Sequence, residues 1–222
     1  MLKKIGFITV GQSPRKDVVP EMAIHLGKDI EILEAGALDG LTLAEIEEFK
    51  PEEGDLVLAS TLRDGTAVVF AEKYIKDRLQ DCIYKLEEEG ADLIAFICTG
   101  DFPWKFQSNV PIIFPSEVLR SAATPFVFHK GLTVFTPDEK QMEYSKNKWK
   151  HIDNVKTIAA NPYKGMEGII NAGKQIPKES CDLIVLDCIG YNLEMQNTLK
   201  EMTNIPVMTA RSVLARLLGE IF

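Results

Sequence analysis

The stretch Asp92-Leu-Ile-Ala-Phe-Ile-Cys98-Thr-Gly100 is written a second time as Asp182-Leu-Ile-Val-Leu-Asp-Cys188-Ile-Gly190. Each copy is a short apolar run rich in β-branched residues, the pattern of a parallel strand buried on both faces. Each run ends in Cys-x-Gly, where the chain must turn. In open α/β sheets the carboxyl ends of such strands are where ligand chemistry collects, so the two thiols are the leading candidates for function.

The repeat extends outward. Asn109-Val-Pro-Ile-Ile-Phe-Pro-Ser-Glu-Val-Leu119 matches Asn204-Ile-Pro-Val-Met-Thr-Ala-Arg-Ser-Val-Leu214, a short strand leading into a helix in both cases. Ile5–Gln12 has a weaker counterpart in Leu132–Gln141. Strand–helix units recurring in this order point to two related α/β lobes. A single continuous sheet with look-alike strands is the other arrangement the pattern allows.

Between the copies the chain alternates strand-like and helix-like segments. Lys4–Val10 reads as the first strand, and Ser13-Pro14 as the start of a helix running to about Leu26. Ile30–Glu34 and Asp55–Thr61 read as further strands. Thr42 with Glu45 makes a capping box for Leu43–Phe49. Arg63-Asp64-Gly65-Thr66 turns into Ala67–Phe70 as a hairpin arm. Glu72–Glu89 carries Ile75, Leu79, Cys82, Ile83 and Leu86 at helical spacing. Cys82 on that apolar face, and Cys181 at the register of Ala91, read as packing thiols.

The 222 residues carry a net charge of −8, with 45% apolar and 26% charged residues. No basic field suits nucleic acid, and no run reaches the roughly 18 apolar residues of a membrane span. Met1–Val10 reads as a strand rather than a leader peptide. Four cysteines without a CxxC pair fit reduced thiols in the cytoplasm, and three scattered histidines give no zinc pattern. Neither a P-loop nor a GxGxxG is present, so no nucleotide cofactor is indicated. An oligomer would by default be a symmetric homodimer.

Gly11-Gln-Ser-Pro-Arg15, Glu34-Ala-Gly-Ala-Leu-Asp-Gly40, Leu62-Arg-Asp-Gly65, Cys98-Thr-Gly100, Asn161-Pro-Tyr163 and Asp187-Cys-Ile-Gly-Tyr191 together resemble the AroM protein family along nearly the whole chain. That family in turn resembles, more distantly, the aspartate/glutamate racemase superfamily. The resemblance implies two pseudosymmetric Rossmann-like (flavodoxin-like) lobes with mainly parallel sheets, no cofactor, and one catalytic cysteine per lobe facing an interlobe cleft. It implies a first lobe of residues 1–106 plus 205–222 and a second of 107–204. Asn109–Phe114 would then join the second sheet, and Ile205–Thr209 with the last helix would return to the first. The chain departs from glutamate-type racemases after both cysteines: Thr99-Gly100 replaces Asn-Thr, and Ile189-Gly190 replaces Thr-His.

Two thiols on opposite sides of one carbon suit removal and return of a proton α to a carboxylate. A thiolate needs only a modest drop from a pKa near 8.5, which free N–H groups at a following turn or helix start supply. Sulfurs about 3–3.5 Å from the carbon would lie roughly 6–7 Å apart. The bland reading is a pair of inert strand-terminal cysteines.

Around them, Gln12, Ser13, Arg15, Arg63, Thr99, Gly100, Thr136, Gly190 and Tyr191 are the candidate substrate-binding residues. Arg15 and Arg63 would clamp a carboxylate in bidentate fashion, unless they are ordinary surface arginines. Ser13 either binds an anion or caps a helix. Asp187 should point away from Cys188 and find a partner of its own. Tyr163 and Tyr191 are either hydroxyls for a ligand or lids over the core. The expected function is cofactor-independent racemisation or isomerisation of a small carboxylate. The alternatives are a single-cysteine isomerase or decarboxylase, or a non-catalytic receptor for a small anion.

Overall fold

A computed structural model describes residues 3–178 and 180–222. The described residues divide into two compact units, 3–115 with 215–222 and those within 116–214.

The first unit contains β1 (Lys3–Thr9), α1 (Val19–Ala23), β2 (Ile30–Gly36), α2 (Leu43–Glu47), β3 (Val57–Thr61), β4 (Ala67–Ala71), α3 (Lys76–Glu88), β5 (Leu93–Phe96) and β6 (Ile112–Ile113). Its main sheet is parallel, in the order β2-β1-β5-β6. The second unit takes in α4 (Pro115–Ala123) after its first residue, then β7 (Leu132–Thr136), α5 (Met142–Lys148), β8 (Val155–Ala159), α6 (Met166–Lys174), β9 (Leu183–Leu186), α7 (Leu193–Thr203) and β10 (Val207–Thr209). Its parallel sheet has the order β8-β7-β9-β10, the same topology. The last helix, α8 (Ala210–Ile221), contains the boundary between the units.

The repeat therefore corresponds to one topology used twice. The central strands explain their own composition. β5, β7 and β9 are buried at every position, as is β1 from Ile5 onward, so neither face tolerates a polar alternation. The aspartates opening the two copies also act alike. Asp92 accepts the Lys4 N–H at 2.9 Å, and Asp182 accepts those of His129, Lys130 and Gly131 at 2.7, 2.6 and 3.1 Å. These backbone donors hold both carboxyls below their ordinary range.

Three expectations are corrected. Asn109–Phe114 does not join the second sheet: β6 pairs with β5, Ile94 opposite Ile112. Glu87 of α3 secures the approach, accepting from the Ser108 hydroxyl at 2.6 Å and from the Asn109 amide at 2.9 Å. Likewise β10 stays with β9, and the Gln196 amide of α7 donates to the Val207 carbonyl at 2.6 Å. A parallel strand reached by a short right-handed crossover settles beside the strand it left. Only residues 215–222 return to the first unit. Third, no helix starts at Ser13. Ser13 is drawn to Asp39, and α1 begins at Val19 with Pro20 in its first turn.

The capping box at Thr42 and Glu45 and the hairpin β3–β4 form as read. The hairpin turn requires Gly65, whose φ of +90° would strain any side chain. Cys82 is buried in the first unit's core and Cys181 in the second's. Burial pushes the Cys82 thiol up to about 12, which keeps it inert. No helix among the described residues is long and apolar enough to cross a membrane.

Candidate functional site

In each unit the strand order reverses beside the strand that carries the cysteine. The chain runs from β1 outward to β2, then comes back to place β5 on the other side of β1. The second unit does the same with β7, β8 and β9. The loops leaving β1 and β5 thus open a crevice in the first unit, as do those leaving β7 and β9 in the second. Thr9 and Thr136 end one strand of each pair. Cys98 and Cys188 lie two residues beyond the other.

The two Cys-x-Gly turns have the same local geometry. The Gly100 N–H donates to the Cys98 sulfur at 3.4 Å, and the Gly190 N–H donates to the Cys188 sulfur at 3.4 Å. A thiolate accepts such a bond more strongly than a thiol, so the contact favours ionisation. The surroundings then diverge. The Tyr163 hydroxyl lies 3.7 Å from the Cys188 sulfur. Tyr163 is set by Asn161, whose side chain accepts its N–H at 2.8 Å in a tight turn. Residue 190 is a glycine because a Cβ there would sit 2.7 Å from two carbons of the Tyr163 ring.

Asp187 turns away from Cys188, as strand alternation requires. Its carboxylate accepts from Lys148 at 2.9 Å and from the Trp149 indole at 2.8 Å, deep in the second unit. Arg211, 2% exposed at the start of α8, donates to the Ile189 carbonyl at 2.9 Å and the Gly190 carbonyl at 3.2 Å. It pins the turn that follows Cys188.

Most polar groups of the loop after β1 are engaged internally. The buried Arg15 guanidinium forms a fork with Asp17 at 2.8 and 2.7 Å and reaches the Thr9 and Ser60 hydroxyls. Asp39 accepts from the Ser13 N–H at 2.8 Å, the Ser13 hydroxyl at 2.6 Å and the Gly36 N–H at 2.9 Å. Arg63 donates to the Ser13 carbonyl at 2.6 Å and reaches Asp39 at 3.4 Å. Gln12 donates to the Leu38 and Leu41 carbonyls and accepts the Arg63 N–H. Arg78 of α3 closes the cluster from below, donating to the Ala37 carbonyl and, at 2.6 Å, to that of Asp39. Asp39 is thus the shared partner of Ser13, Gly36 and Arg63.

The structure therefore sorts the predicted residues. Thr99 and Gly100 flank the Cys98 turn, and Gly190 completes the Cys188 turn. Thr136 ends β7 and donates to the Asp138 carbonyl at 3.2 Å. Gln12, Ser13, Arg15 and Arg63 build a loop network around Asp39 and Asp17. Tyr191 is fully buried, and its hydroxyl donates to the Ala160 carbonyl at 2.7 Å. Burial holds that hydroxyl well above its ordinary pKa.

Four residues had no role in the sequence reading: Asp39, Glu72, Arg78 and Arg211. Asp39 lies inside the quoted motif Glu34–Gly40. Arg211 stands in the repeat where the first copy has Ser116, and that mismatch is the signal that marks it. Glu72, buried where β4 ends, has a carboxyl pushed up to about 7 by burial and by the charge of Asp101, three residues beyond Cys98.

Known structures define the class. The fold is shared with the aspartate racemase of Picrophilus torridus (14% identity, 99% of this chain and 94% of that one, TM-score 0.61). It is also shared with the maleate isomerase Iso of Pseudomonas putida S16 (13%, 100% and 93%, 0.63) and with the glutamate racemase of Francisella tularensis subsp. tularensis SCHU S4 (10%, 99% and 81%, 0.64). The architecture is thus the two-unit α/β fold of the aspartate/glutamate racemases. No curated protein matches the sequence. Residues 5–222 match the family described as AroM protein, and the chain belongs to that family.

Proposed function

We propose that the protein is a cofactor-independent racemase or isomerase acting at the α-carbon of a small carboxylate, with Cys98 and Cys188 as its acid and base. The observation that carries this reading is the matched turn: two thiols, each beyond a central strand at the point of strand reversal, each receiving a glycine N–H at 3.4 Å. A backbone donor aimed at sulfur poises a thiol for proton transfer, and its presence in both copies suits a reaction needing one group on either face of a carbon. The chemistry requires the two sulfurs roughly 6–7 Å apart across that carbon. Thr99, Gly100, Thr136 and Gly190 would border the reacting groups, and Tyr163 would give Cys188 a second polar neighbour. The Asp39 network holds the loop after β1 in shape, which leaves Gln12, Ser13, Arg15 and Arg63 a supporting part in binding. Proteins that share this fold include racemases and an isomerase, in keeping with chemistry at a carbon next to a carboxylate.

One observation favours a second reading. Tyr163 and Arg211 both attend the Cys188 turn, and a thiol so attended suits an enzyme in which one thiol does the chemistry, as in a one-cysteine isomerase or decarboxylase.

The test is solvent deuterium incorporation at Cα across a panel of amino and hydroxy acids, with the parent, Cys98→Ser and Cys188→Ser. Two-base chemistry predicts loss of racemisation in both variants by a factor on the order of 10² or more. Loss in Cys188→Ser alone would move the assignment to the one-thiol reading. Absence of exchange with every acid would overturn the two-base reading.

A further inference from the structure

The two turns share a glycine donor and differ in charge. In the second copy the buried Arg211 guanidinium is fastened to the carbonyls one and two residues past Cys188, at 2.9 and 3.2 Å. The first copy has Ser116 at that register. On its side, the loop after Cys98 carries Asp101, and the buried Glu72 feels that residue's charge. One Glu72 carboxyl oxygen has no hydrogen-bond partner among the described residues.

We propose that Cys188 is the thiolate of the resting protein, with Arg211 as the positioning cation that stabilises it, and that Cys98 rests as the neutral thiol. This rests on the acid/base reading above. A guanidinium keeps its charge at every working pH, and a cation held within the turn favours a thiolate there. Three other titratable groups lie near Cys188. Asp187, the adjacent carboxylate, is neutralised by Lys148 at 2.9 Å and bonded to Trp149. Tyr191 is buried and bonded to Ala160, so it adds no negative charge. Tyr163, 3.7 Å from the sulfur, supplies a neutral hydroxyl. The loop after Cys98 carries Asp101, whose charge reaches Glu72, and a negative charge in that loop would oppose a thiolate there.

The assignment gives the reaction a starting direction. The first proton moves from Cα to the Cys188 sulfur, and the Cys98 proton moves to the opposite face of the carbon. The thiolate is then on Cys98, and turnover of the opposite enantiomer returns it to Cys188. No electrons are exchanged with any other group.

The test is a pH titration of thiolate ultraviolet absorbance in full-length Cys98→Ser and Cys188→Ser, each referenced to the double variant. The thiol left in Cys98→Ser should ionise at least about one pH unit below the thiol left in Cys188→Ser. Added to Cys98→Ser, Arg211→Lys should hold that midpoint within about half a unit, and Arg211→Met should raise it by about one unit or more. Added to Cys188→Ser, Arg211→Met should leave the Cys98 midpoint where it was, and Glu72→Gln should lower it. The Glu72 variant carries the test if Arg211→Met fails to fold by circular dichroism. Equal midpoints, or Cys98 ionising first, would overturn the proposal. So would a folded Arg211→Met that leaves the Cys188 midpoint unmoved. The titration needs no turnover. A protein that exchanges no α-proton yet shows this order loses the racemase reading and keeps this one. A racemase in which Cys98 ionises first does the reverse.

Discussion

The loop after β5 and the loop after β9 begin alike, with Cys-x-Gly folded onto its own sulfur, and then solve the same problem by different means. Each must carry the chain to the next parallel strand of its sheet. The second unit uses α7, capped by the Asn192 side chain on the Met195 N–H at 2.9 Å and ended by Asn204 in the left-handed conformation. The first unit has no helix between β5 and β6. Instead Phe102, Trp104 and Phe106 pack around Phe96 and Phe114, with ring centroids 4.9 to 6.3 Å apart. Aromatic area thus does in one unit what regular hydrogen bonding does in the other. The lesson is that the repeat preserves the sulfur and its N–H donor while the support behind them is free to change.

The sharpest contrast lies one residue before each thiol. Ile97 is buried, and Asp187, at the same register, is paired with Lys148 in a bridge whose side chains are 3% and 2% exposed. Replacing both partners of such a bridge with apolar groups is often tolerated, but removing one strands a buried charge. Asp187→Asn should cost about 3–5 kcal/mol in urea denaturation, against about 1 kcal/mol for Ile97→Val. Equal costs would mean that the ion pair is not what holds the second turn.

The next largest effect separates the units by pH. The hairpin β3–β4 belongs to the first unit, and it ends at Glu72, whose carboxyl is pushed from 4.5 up to about 7. A carboxyl raised in the folded state gives stability that is fully present below about pH 4.5 and lost as pH rises through about 7. The loss by pH 8 should be on the order of 2–3 kcal/mol, and Glu72→Gln should abolish it. Denaturation midpoints at pH 5 and pH 8 for parent and variant check this. A parent as stable at pH 8 as at pH 5, with the same slope as the variant, would sink it.

How much of this was legible follows the same division. The central strands could be read because burial on both faces leaves an unbroken apolar run, and the thiols because they close two such runs at one register. Local chemistry was legible too: Thr42 and Glu45 specify their cap within four residues. What could not be read is long-range pairing of polar groups. Ser13 is an equally good helix cap or partner for a carboxylate, and only the fold brings Asp39 to it. Arg63 looked like a ligand clamp because nothing local announces Asp39, whereas the acid that Arg15 meets, Asp17, stands only two residues away. The placement of Asn109–Phe114 and Ile205–Thr209 went wrong for a related reason. The resemblance pointed to exchange of strands between units, whereas Glu87 and Gln196 fasten each strand to the sheet it has just left.

The smallest expected difference tests the glycines themselves. A Cβ at Gly190 would meet the Tyr163 ring at 2.7 Å and Pro162 at 2.8 Å, and neither ring can yield without moving its turn. A Cβ at Gly100 would come tight only against the end of the Leu58 side chain at 3.1 Å, with the Cys98 sulfur at 3.6 Å and the Phe102 ring at 3.7 Å in ordinary contact. Neither glycine has a positive φ among those recorded for the chain, so alanine should be penalised by contact rather than by backbone. Gly190→Ala should therefore cost about 1–3 kcal/mol and Gly100→Ala under about 1 kcal/mol in the same denaturation assay. Because the displaced ring carries the hydroxyl 3.7 Å from Cys188, Gly190→Ala should also raise the ionisation midpoint of that thiol, while Gly100→Ala leaves the Cys98 midpoint in place. A Gly190→Ala protein of reduced stability with an unmoved Cys188 midpoint would assign Tyr163 to packing alone and leave Arg211 as the group that sets the two turns apart.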